Sequence, residues 1–229
     1  MSELVKVEIN EGVAMLTLNN GKVNAFSHEM IADFNAALDQ AEEAKAPVVI
    51  AGHPGMFSAG FDLKVMQKSM DAAMALVKEG STLTRRLLSF PTPVIAACTG
   101  HAVAQGAFTL LCSDYRIGAA GEFKLGLNEV AIGMTMHHAG ITMAKHGVTD
   151  RYLNRSLYLA EMFDPETAVE AGFLDEIVEF EKVVETAIEY AKATKKLNRH
   201  AHKGTKLKAR AGLLEEMDRA IELDVNGSL

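Results

Sequence analysis

The chain has 229 residues, of which 48% are hydrophobic and 23% charged, a balance typical of a soluble globular protein. Its formal net charge of −7 argues against a nucleic-acid-binding role, which usually needs a basic surface. No apolar run reaches the roughly 18 residues of a membrane-spanning helix, and the N-terminus lacks a signal-peptide pattern. We therefore expect a cytoplasmic protein whose two cysteines, Cys98 and Cys112, are reduced and buried.

The first fifty residues predict two strands, a helix and a third strand. Val7 and Glu8 belong to an alternating apolar and charged pattern typical of a strand, and Leu16 belongs to a second strand after a turn. The short apolar run 47–51 indicates a buried strand. Ser27 is a candidate N-cap for the helix between them, which has one apolar face. The residues of that face are Met30, Ile31, Phe34, Ala37, Leu38 and Ala41.

Helical and strand patterns alternate from there to about residue 117, and the remainder of the chain is helical. Pro91 and Pro93 separate a helix from the strand that follows it. The alternating part indicates a layered α/β core with crossover connections. The predicted elements are a helix at 70–88, a strand at 94–97, a helix through Phe108, a strand at 114–117, and helices at 139–146, 150–159, 165–171 and 181–196.

Two segments read as an apolar strand, then small residues, then an amphipathic helix. They are 57–63 (FSAGFDL) and 99–106 (TGHAVAQG). Backbone N–H groups at a helix start lack intrahelical partners, so such a turn can aim them at one point. Two turns that face each other can hold a developing oxyanion. A carboxylate, Glu129, follows in the segment 126–133 (GLNEVAIG).

Together with the segment 19–25 (NNGKVNA), these motifs resemble the crotonase superfamily, the enoyl-CoA hydratase/isomerase family. The resemblance implies an α/β fold, a spiral of β-β-α units whose helical C-terminal region mediates trimerisation. It divides the chain into a spiral core with the acyl-CoA site at 1–190 and a helical region at 191–229 of the same domain. The implied assembly is a homotrimer or a dimer of trimers. The implied ligand is an acyl-CoA, and no separate cofactor is expected because coenzyme A is part of the substrate.

The resemblance also assigns the oxyanion donors. The backbone N–H of Phe61 corresponds to the first donor to the thioester oxygen. Alignment on Gly100 and Asp114 places Gln105 where the family has a central glycine. Gln105 keeps a backbone N–H, but its amide side chain either comes near the thioester or lies at a solvent-facing helix start. This departure concerns the binding geometry and leaves the expected fold unchanged.

The carboxylates indicate the reaction. Hydratases of the family use two glutamates; the alignment places Phe108 at the first position and Glu129 at the second. A single carboxylate can move a proton between two carbons but is a poorer design for adding water. The segment 126–129 also resembles the Δ3,Δ2-enoyl-CoA isomerase branch. We therefore predict that Glu129 takes a proton from C2 and delivers it to C4, with its pKa raised by apolar walls that include Met134.

The remaining predicted site residues line the path of coenzyme A and the acyl chain. Lys22 and Lys64 either meet phosphates or are plain surface lysines. The predicted substrate-binding residues are Lys22, Asn24, Ala25, Ala59, Gly60, Asp62, Leu63, Lys64, Gly106, Phe108 and Met134. A second group of basic residues either forms a solvated helix face or attracts the phosphates of coenzyme A. It comprises Lys192, Lys195, Lys196, Arg199, Lys203, Lys206, Lys208 and Arg210.

Several alternatives stay open. A hydratase would need another group to hold water, and Gln105, His137 or His138 are the candidates. Gln105 also motivates an acyl-CoA-binding protein with impaired catalysis. A scaffolding or RNA-binding member of the fold is disfavoured by the net charge of −7. No metal site is predicted, because neither the cysteines nor the two histidines have a metal-ligand spacing.

Overall fold

The computed structural model describes residues 3–227. The strands within that range are β1 (Val5–Asn10), β2 (Val13–Leu18), β3 (Val48–Ala51), β4 (Gly55–Ser58), β5 (Val94–Cys98), β6 (Gly100–Val103), β7 (Tyr115–Ala119), β8 (Leu125–Gly126) and β9 (Glu176–Val178). The α-helices are α1 (His28–Glu43), α2 (Leu63–Met66), α3 (Met70–Leu88), α4 (Gln105–Leu111), α5 (His138–Gly147), α6 (Asp150–Leu157), α7 (Pro165–Ala171), α8 (Val183–Thr194), α9 (Arg199–Ala209) and α10 (Ala211–Asn226).

The strands form two sheets. The larger sheet has six strands in the order β1-β2-β3-β5-β7-β9, and the smaller has three in the order β4-β6-β8. Strands β1 and β2 pair antiparallel, and every other pairing in the two sheets is parallel. A parallel sheet is covered on both faces, which agrees with the complete burial of β3 and β5.

Successive β-β-α units build the spiral that the family resemblance implied. Each unit places one strand in the larger sheet and the next in the smaller sheet, and then adds a helix. The units are β3-β4-α3, β5-β6-α4 and β7-β8-α5, with the short α2 between β4 and α3. The predicted fold class is confirmed. The strands β4, β6, β8 and β9 correct the residue-level interpretation, which predicted turns in the segments 57–63 and 99–106 and only helices after about residue 117.

Helices α1 and α3 are as predicted. The Ser27 hydroxyl accepts a hydrogen bond from the Met30 N–H at 3.2 Å, and the six apolar residues of the predicted face are the buried residues of α1. Helix α3 spans Met70–Leu88, the predicted range. Cys98 and Cys112 are free and buried, also as predicted.

The C-terminal helices pack against their own chain. Helix α10 contacts α3 and α5, and the buried Asp224 accepts hydrogen bonds from the His138 and Ala139 N–H groups at 2.7 and 3.0 Å, capping α5 from another helix. The predicted division at 190/191 falls inside α8, and its outer ends, 1–2 and 228–229, lie outside the described residues. Trimerisation remains a prediction. Within residues 3–227, no helix is both long and apolar enough to span a membrane.

Candidate active site

The three predicted catalytic residues follow the three strands of the smaller sheet. Because β4, β6 and β8 are parallel neighbours, their carboxyl ends lie at one edge. Phe61 follows β4, Gln105 follows β6 and Glu129 follows β8. The small sheet, which the residue patterns did not predict, therefore brings the three together.

The first turn is fixed by pairing with the segment before α1. The Phe26 N–H donates to the Gly60 carbonyl at 2.8 Å, and the Asp62 N–H donates to the Phe26 carbonyl at 3.0 Å. In a parallel bridge of this kind, the N–H of the residue between points away from the pairing strand. The Phe61 N–H accordingly has no acceptor among the described residues.

The second turn begins α4. Its N-cap residue, Ala104, has φ 51° and ψ −119°, a conformation that strongly favours glycine. Two hydrogen bonds hold it: the Ala104 N–H donates to the Gly126 carbonyl, and the Phe108 N–H donates to the Ala104 carbonyl. Gln105 is the first residue of α4, so its N–H has no intrahelical partner, and no other acceptor for it lies within residues 3–227.

The two turns approach each other at Gly60. A methyl group on this residue, whose φ is 94°, would lie 2.7 Å from the Ala104 Cβ and 3.4 Å from the Gln105 backbone N. Only glycine permits that separation. The two free N–H groups therefore belong to backbone segments in direct contact.

Glu129 is a buried carboxylate with an unpaired oxygen. It lies at the start of a short 3₁₀-helix, Val130–Ile132, and only 6% of its surface is exposed. Its Oε2 has no hydrogen-bond partner among the described residues. Burial raises the pKa of Glu129 to about 7, although a hydrogen bond from the backbone opposes the rise. The group can thus take or give a proton near neutral pH.

Glu129 and Phe61 line one cavity of about 600 Å³. Its described walls are Phe61, Leu63, Met66, Gln67, Ser69, Met70, Ala73, Met74, Val77, Glu129, Ile132, Gly133, Met134, Thr135 and His137. Glu129 is the only carboxylate in that set. Burial lowers the pKa of His137 to about 4, so its ring is uncharged at neutral pH. The cavity is therefore mostly apolar, with one carboxylate and one neutral imidazole.

Of the predicted substrate-binding residues, Leu63 and Met134 line this cavity. Asn24 instead supports the turn: its fully buried side chain donates to the Met56 and Phe57 carbonyls at 3.3 and 3.1 Å. The Asp62 carboxylate accepts from the Lys64 N–H at 2.8 Å and caps α2. Their polar groups hold backbone in place rather than lining the cavity.

Gly106 and Phe108 also lie behind the cavity rather than on its wall. A methyl group on Gly106 would be 2.6 Å from the Ser58 carbonyl, so glycine is needed for α4 to approach β4. Phe108 is 2% exposed and packs edge-to-face on His137 with ring centroids 5.6 Å apart. The position that the alignment assigns to the first hydratase glutamate is therefore filled by an aromatic ring, which packs against the His137 imidazole.

The Gln105 side chain contradicts the solvent-facing alternative raised for it. It is 1% exposed, so it does not face solvent. Its amide points to α3, where Nε2 donates to the Thr84 hydroxyl at 3.1 Å. Gln105 does not itself line the cavity. The other residues near the first turn are Ala25 and Ala59, which are partly buried, and Lys22 and Lys64, which are exposed.

Part of the C-terminal basic group is engaged elsewhere. Lys206 is buried and forms an ion pair with Asp114 at 2.7 Å, and Arg210 contacts the same carboxylate at 3.0 Å. Asp114 also accepts from the N–H of Val94, the first residue of β5. These two cations therefore anchor α9 near the amino end of a strand, away from the edge that carries Glu129.

Sequence reasoning missed the contribution of α3. Met70, Ala73, Met74 and Val77 form a cavity-facing stripe at helical spacing, but such a stripe is more often core. Gly80 was missed as well. A methyl group on it would lie 2.4 Å from the Phe61 ring, so it marks where α3 meets the first turn.

Comparison with known proteins identifies the family. The sequence model of the enoyl-CoA hydratase/isomerase family matches residues 8–226. A mitochondrial enoyl-CoA delta isomerase 1 of Mus musculus is 32% identical over 79% of this chain, which spans 64% of that protein's length. The crystal structure of an enoyl-CoA hydratase/isomerase family protein from Pseudomonas syringae has 57% identity and a TM-score of 0.97, covering 99% of this chain and 98% of that one. The apo structure of an Mtb enoyl-CoA isomerase has 41% identity and a TM-score of 0.94, covering 98% and 99%.

The β-β-α units and these similarities define a crotonase-fold protein. The chain belongs to the enoyl-CoA hydratase/isomerase family.

Proposed function

We propose that the protein is an enoyl-CoA isomerase that converts Δ3-enoyl-CoA into the conjugated Δ2 isomer with Glu129 as the single proton shuttle. The observation that carries the proposal is that Glu129 is the only carboxylate among the described cavity walls. Phe108, at the position that the alignment assigns to the first hydratase glutamate, can neither accept nor donate a proton. The relatives named isomerases support the same reaction class.

In this mechanism the thioester carbonyl accepts hydrogen bonds from the N–H groups of Phe61 and Gln105. Fixed backbone donors stabilise the dienolate because they need not reorganise as negative charge develops. The Glu129 carboxylate removes a proton from C2, the double bond moves, and the carboxylic acid returns the proton to C4. A pKa near 7 suits both transfers, since the group is neither too weak a base nor too weak an acid.

The remaining expectations on substrate and assembly belong to the same proposal. The substrate is an acyl-CoA held with its acyl chain between α3 and the segment around Met134, and no cofactor beyond the coenzyme A of the substrate is needed. Lys22 and Lys64 meet its phosphates. The assembly is a homotrimer or a dimer of trimers, without nucleic acid or membrane partners, in the cytoplasm.

The test is to incubate the protein with a Δ3-enoyl-CoA and follow the ultraviolet absorbance of the conjugated thioester. We expect Glu129→Gln to lower kcat by about 10²–10⁴-fold, the usual contribution of a positioned general base. Glu122→Gln, which changes an exposed carboxyl in the same way, serves as the matched control. The wild-type kcat/KM should rise with pH through about 7, as Glu129 becomes ionised.

Isotope labelling identifies the shuttle. With deuterium at C2, part of the label should appear at C4, because one carboxyl carries it between the two carbons. Transfer of label from C2 to C4 that persists in Glu129→Gln would contradict Glu129 as the carrier.

A hydratase is the second candidate. His137 favours it, since its uncharged imidazole lines the cavity with Glu129 and could hold a water molecule. His138 is exposed and Gln105 is bonded to α3, so His137 is the remaining candidate of the three. Formation of 3-hydroxyacyl-CoA from a Δ2-enoyl-CoA, lost in His137→Phe, would favour this reaction. Binding of acyl-CoA without either reaction would indicate an impaired enzyme.

A further inference from the structure

The residues that supply both proposed oxyanion donors carry large side chains, and both side chains meet the same turn of α3. A methyl group on Gly80 would lie 2.4 Å from the Phe61 ring and 3.1 Å from the Gln105 Oε1. Gly80 is buried, so this contact is internal. One point of α3 thus touches the side chain of each donor residue.

The Gln105 amide is bonded to that turn. Its Nε2 donates to the Thr84 hydroxyl at 3.1 Å and lies 3.4 Å from the Gly80 carbonyl, while the Thr84 hydroxyl donates to the same carbonyl at 3.1 Å. All three residues are buried. A buried hydrogen bond that is fully paired holds its groups in one geometry, because breaking it leaves polar atoms unsatisfied.

This contact opposes the strain in the second turn. Ala104, directly before Gln105, has a positive φ of 51°, which costs a non-glycine residue about 1–3 kcal/mol. Such a turn can relax by rotating the following peptide, and that peptide carries the Gln105 N–H. A side chain anchored to α3 restricts the rotation.

We propose that the Gln105 side chain, anchored on Thr84 and Gly80 of α3, is a positioning element that sets the direction of the Gln105 N–H relative to the Phe61 N–H. This proposal rests on the proposed function, because it assumes that both N–H groups bind the thioester oxygen. Gln105 replaces the conformational freedom of a glycine at this position with an anchor to a neighbouring helix. Thr84 acts only through Gln105, so it is a positioning residue.

Thr84→Val tests the anchor, because it keeps the shape of the side chain and removes the hydroxyl. We expect kcat to fall about tenfold with KM within twofold, because a small misalignment of a donor reduces the stabilisation of the transition state more than it reduces substrate affinity. Thr84→Ser, which keeps the hydroxyl, should recover most of the kcat. Thr82→Val is the control. The Thr82 hydroxyl donates to the Lys78 backbone carbonyl on the exposed face of α3, as the Thr84 hydroxyl does to the Gly80 carbonyl, and kcat should not change.

Gln105→Leu keeps the test decisive if Thr84→Val fails to fold. It should also lower kcat, and the double variant should lose no more than the worse single variant, because both changes break one interaction. A kcat that stays at the wild-type value per folded molecule in either variant would overturn the proposal.

The carbonyl stretching band of bound hexanoyl-CoA, labelled with ¹³C at the thioester carbon, reports the donors directly. Wild-type protein should shift the band to lower frequency, and Thr84→Val should reduce that shift while Thr82→Val keeps it. A full shift in Thr84→Val overturns the positioning role and leaves the proposed function standing. The absence of a shift in the wild type removes the oxyanion site itself, and with it both proposals.

Discussion

The two turns share one backbone arrangement but lie in different surroundings. Each places a residue with positive φ directly before a free N–H: Gly60 with φ 94° before Phe61, and Ala104 with φ 51° before Gln105. The first turn lies beside exposed residues, including Leu63 and Lys64, whereas every residue of α4 after the second turn is buried. Glycine makes the first turn unstrained near the surface. The second keeps a strained alanine because the packed core and the Gln105 side chain hold it.

Gly60→Ala should have the largest effect, because it makes the first turn resemble the second. The added methyl group would clash with the Ala104 Cβ at 2.7 Å and the Val103 carbonyl at 3.1 Å, in a backbone conformation unfavourable for alanine. We expect a loss of about 3 kcal/mol or more in the free energy of unfolding, and loss of isomerase activity. Urea denaturation measures the free energy of unfolding, and Ala59→Gly is a control at the adjacent, partly buried position. An active protein of wild-type stability would show that the turns are not in contact.

Glu129→Gln tests the third strand end while both turns stay intact. The folded protein raises the pKa of Glu129 from 4.5 to about 7, so the stabilisation from the neutral carboxyl is present below pH 4.5 and lost as the pH rises through 7. The variant should match the wild type at pH 4.5 and exceed its free energy of unfolding at pH 8 by roughly 3 kcal/mol, since each tenfold change in acidity corresponds to about 1.4 kcal/mol. Urea denaturation at the two pH values measures the difference. Parallel pH profiles would contradict the burial of an unpaired carboxylate.

Ala104→Gly makes the second turn resemble the first. It removes the strain of a positive φ at the expense of greater freedom in the unfolded chain, so we expect a gain of about 1 kcal/mol in stability with activity retained. Ala102→Gly, in the strand before it, should lose about 1 kcal/mol and is the control. Thermal denaturation of the pair checks the contrast; a loss in both variants would mean that Ala104 is not strained.

The smallest effect concerns the surface of the first turn. Lys22 and Lys64 are exposed and form no ion pair within residues 3–227, so they are free to meet phosphate groups. Replacing both with Met should raise KM about two- to fivefold at low salt, and added salt should remove the difference. Lys78→Met, on the exposed face of α3, is the control. A salt-independent change in KM would point to a structural effect instead.

The fold and the site were predictable to different degrees. Helix α1 followed from the Ser27 cap and six apolar residues at helical spacing, and α3 from an amphipathic run ended by prolines; both signals are local. The strands of the smaller sheet gave no such signal, because β4, β6 and β8 have only four, four and two residues, and a glycine occupies one end of each. Their pairing is a long-range event, and only resemblance to the family indicated it.

Several residues predicted to bind substrate also make structural contacts that the sequence did not reveal, for the same reason. Asn24, Asp62 and Gly106 are polar or small residues next to a predicted site, where a ligand contact and a structural bond cannot be told apart from sequence. In the folded protein Asn24 supports the first turn and Asp62 caps α2, while the absence of a side chain on Gly106 lets Ser58 pack against α4. The basic residues Lys206 and Arg210 likewise pair with Asp114, a partner distant in sequence.

The sequence alone indicated the family, helices α1 and α3, and the glutamate that we propose as the proton shuttle, since motif order and residue type are properties of the chain. Only the tertiary structure decided that Glu129 is buried with a pKa near 7 and that the Gln105 amide is bonded to α3. It also decided that the Phe61 and Gln105 N–H groups have no acceptor among residues 3–227. Burial and hydrogen-bond pairing depend on segments far apart in the chain, so they exist only once the β-β-α units have packed together.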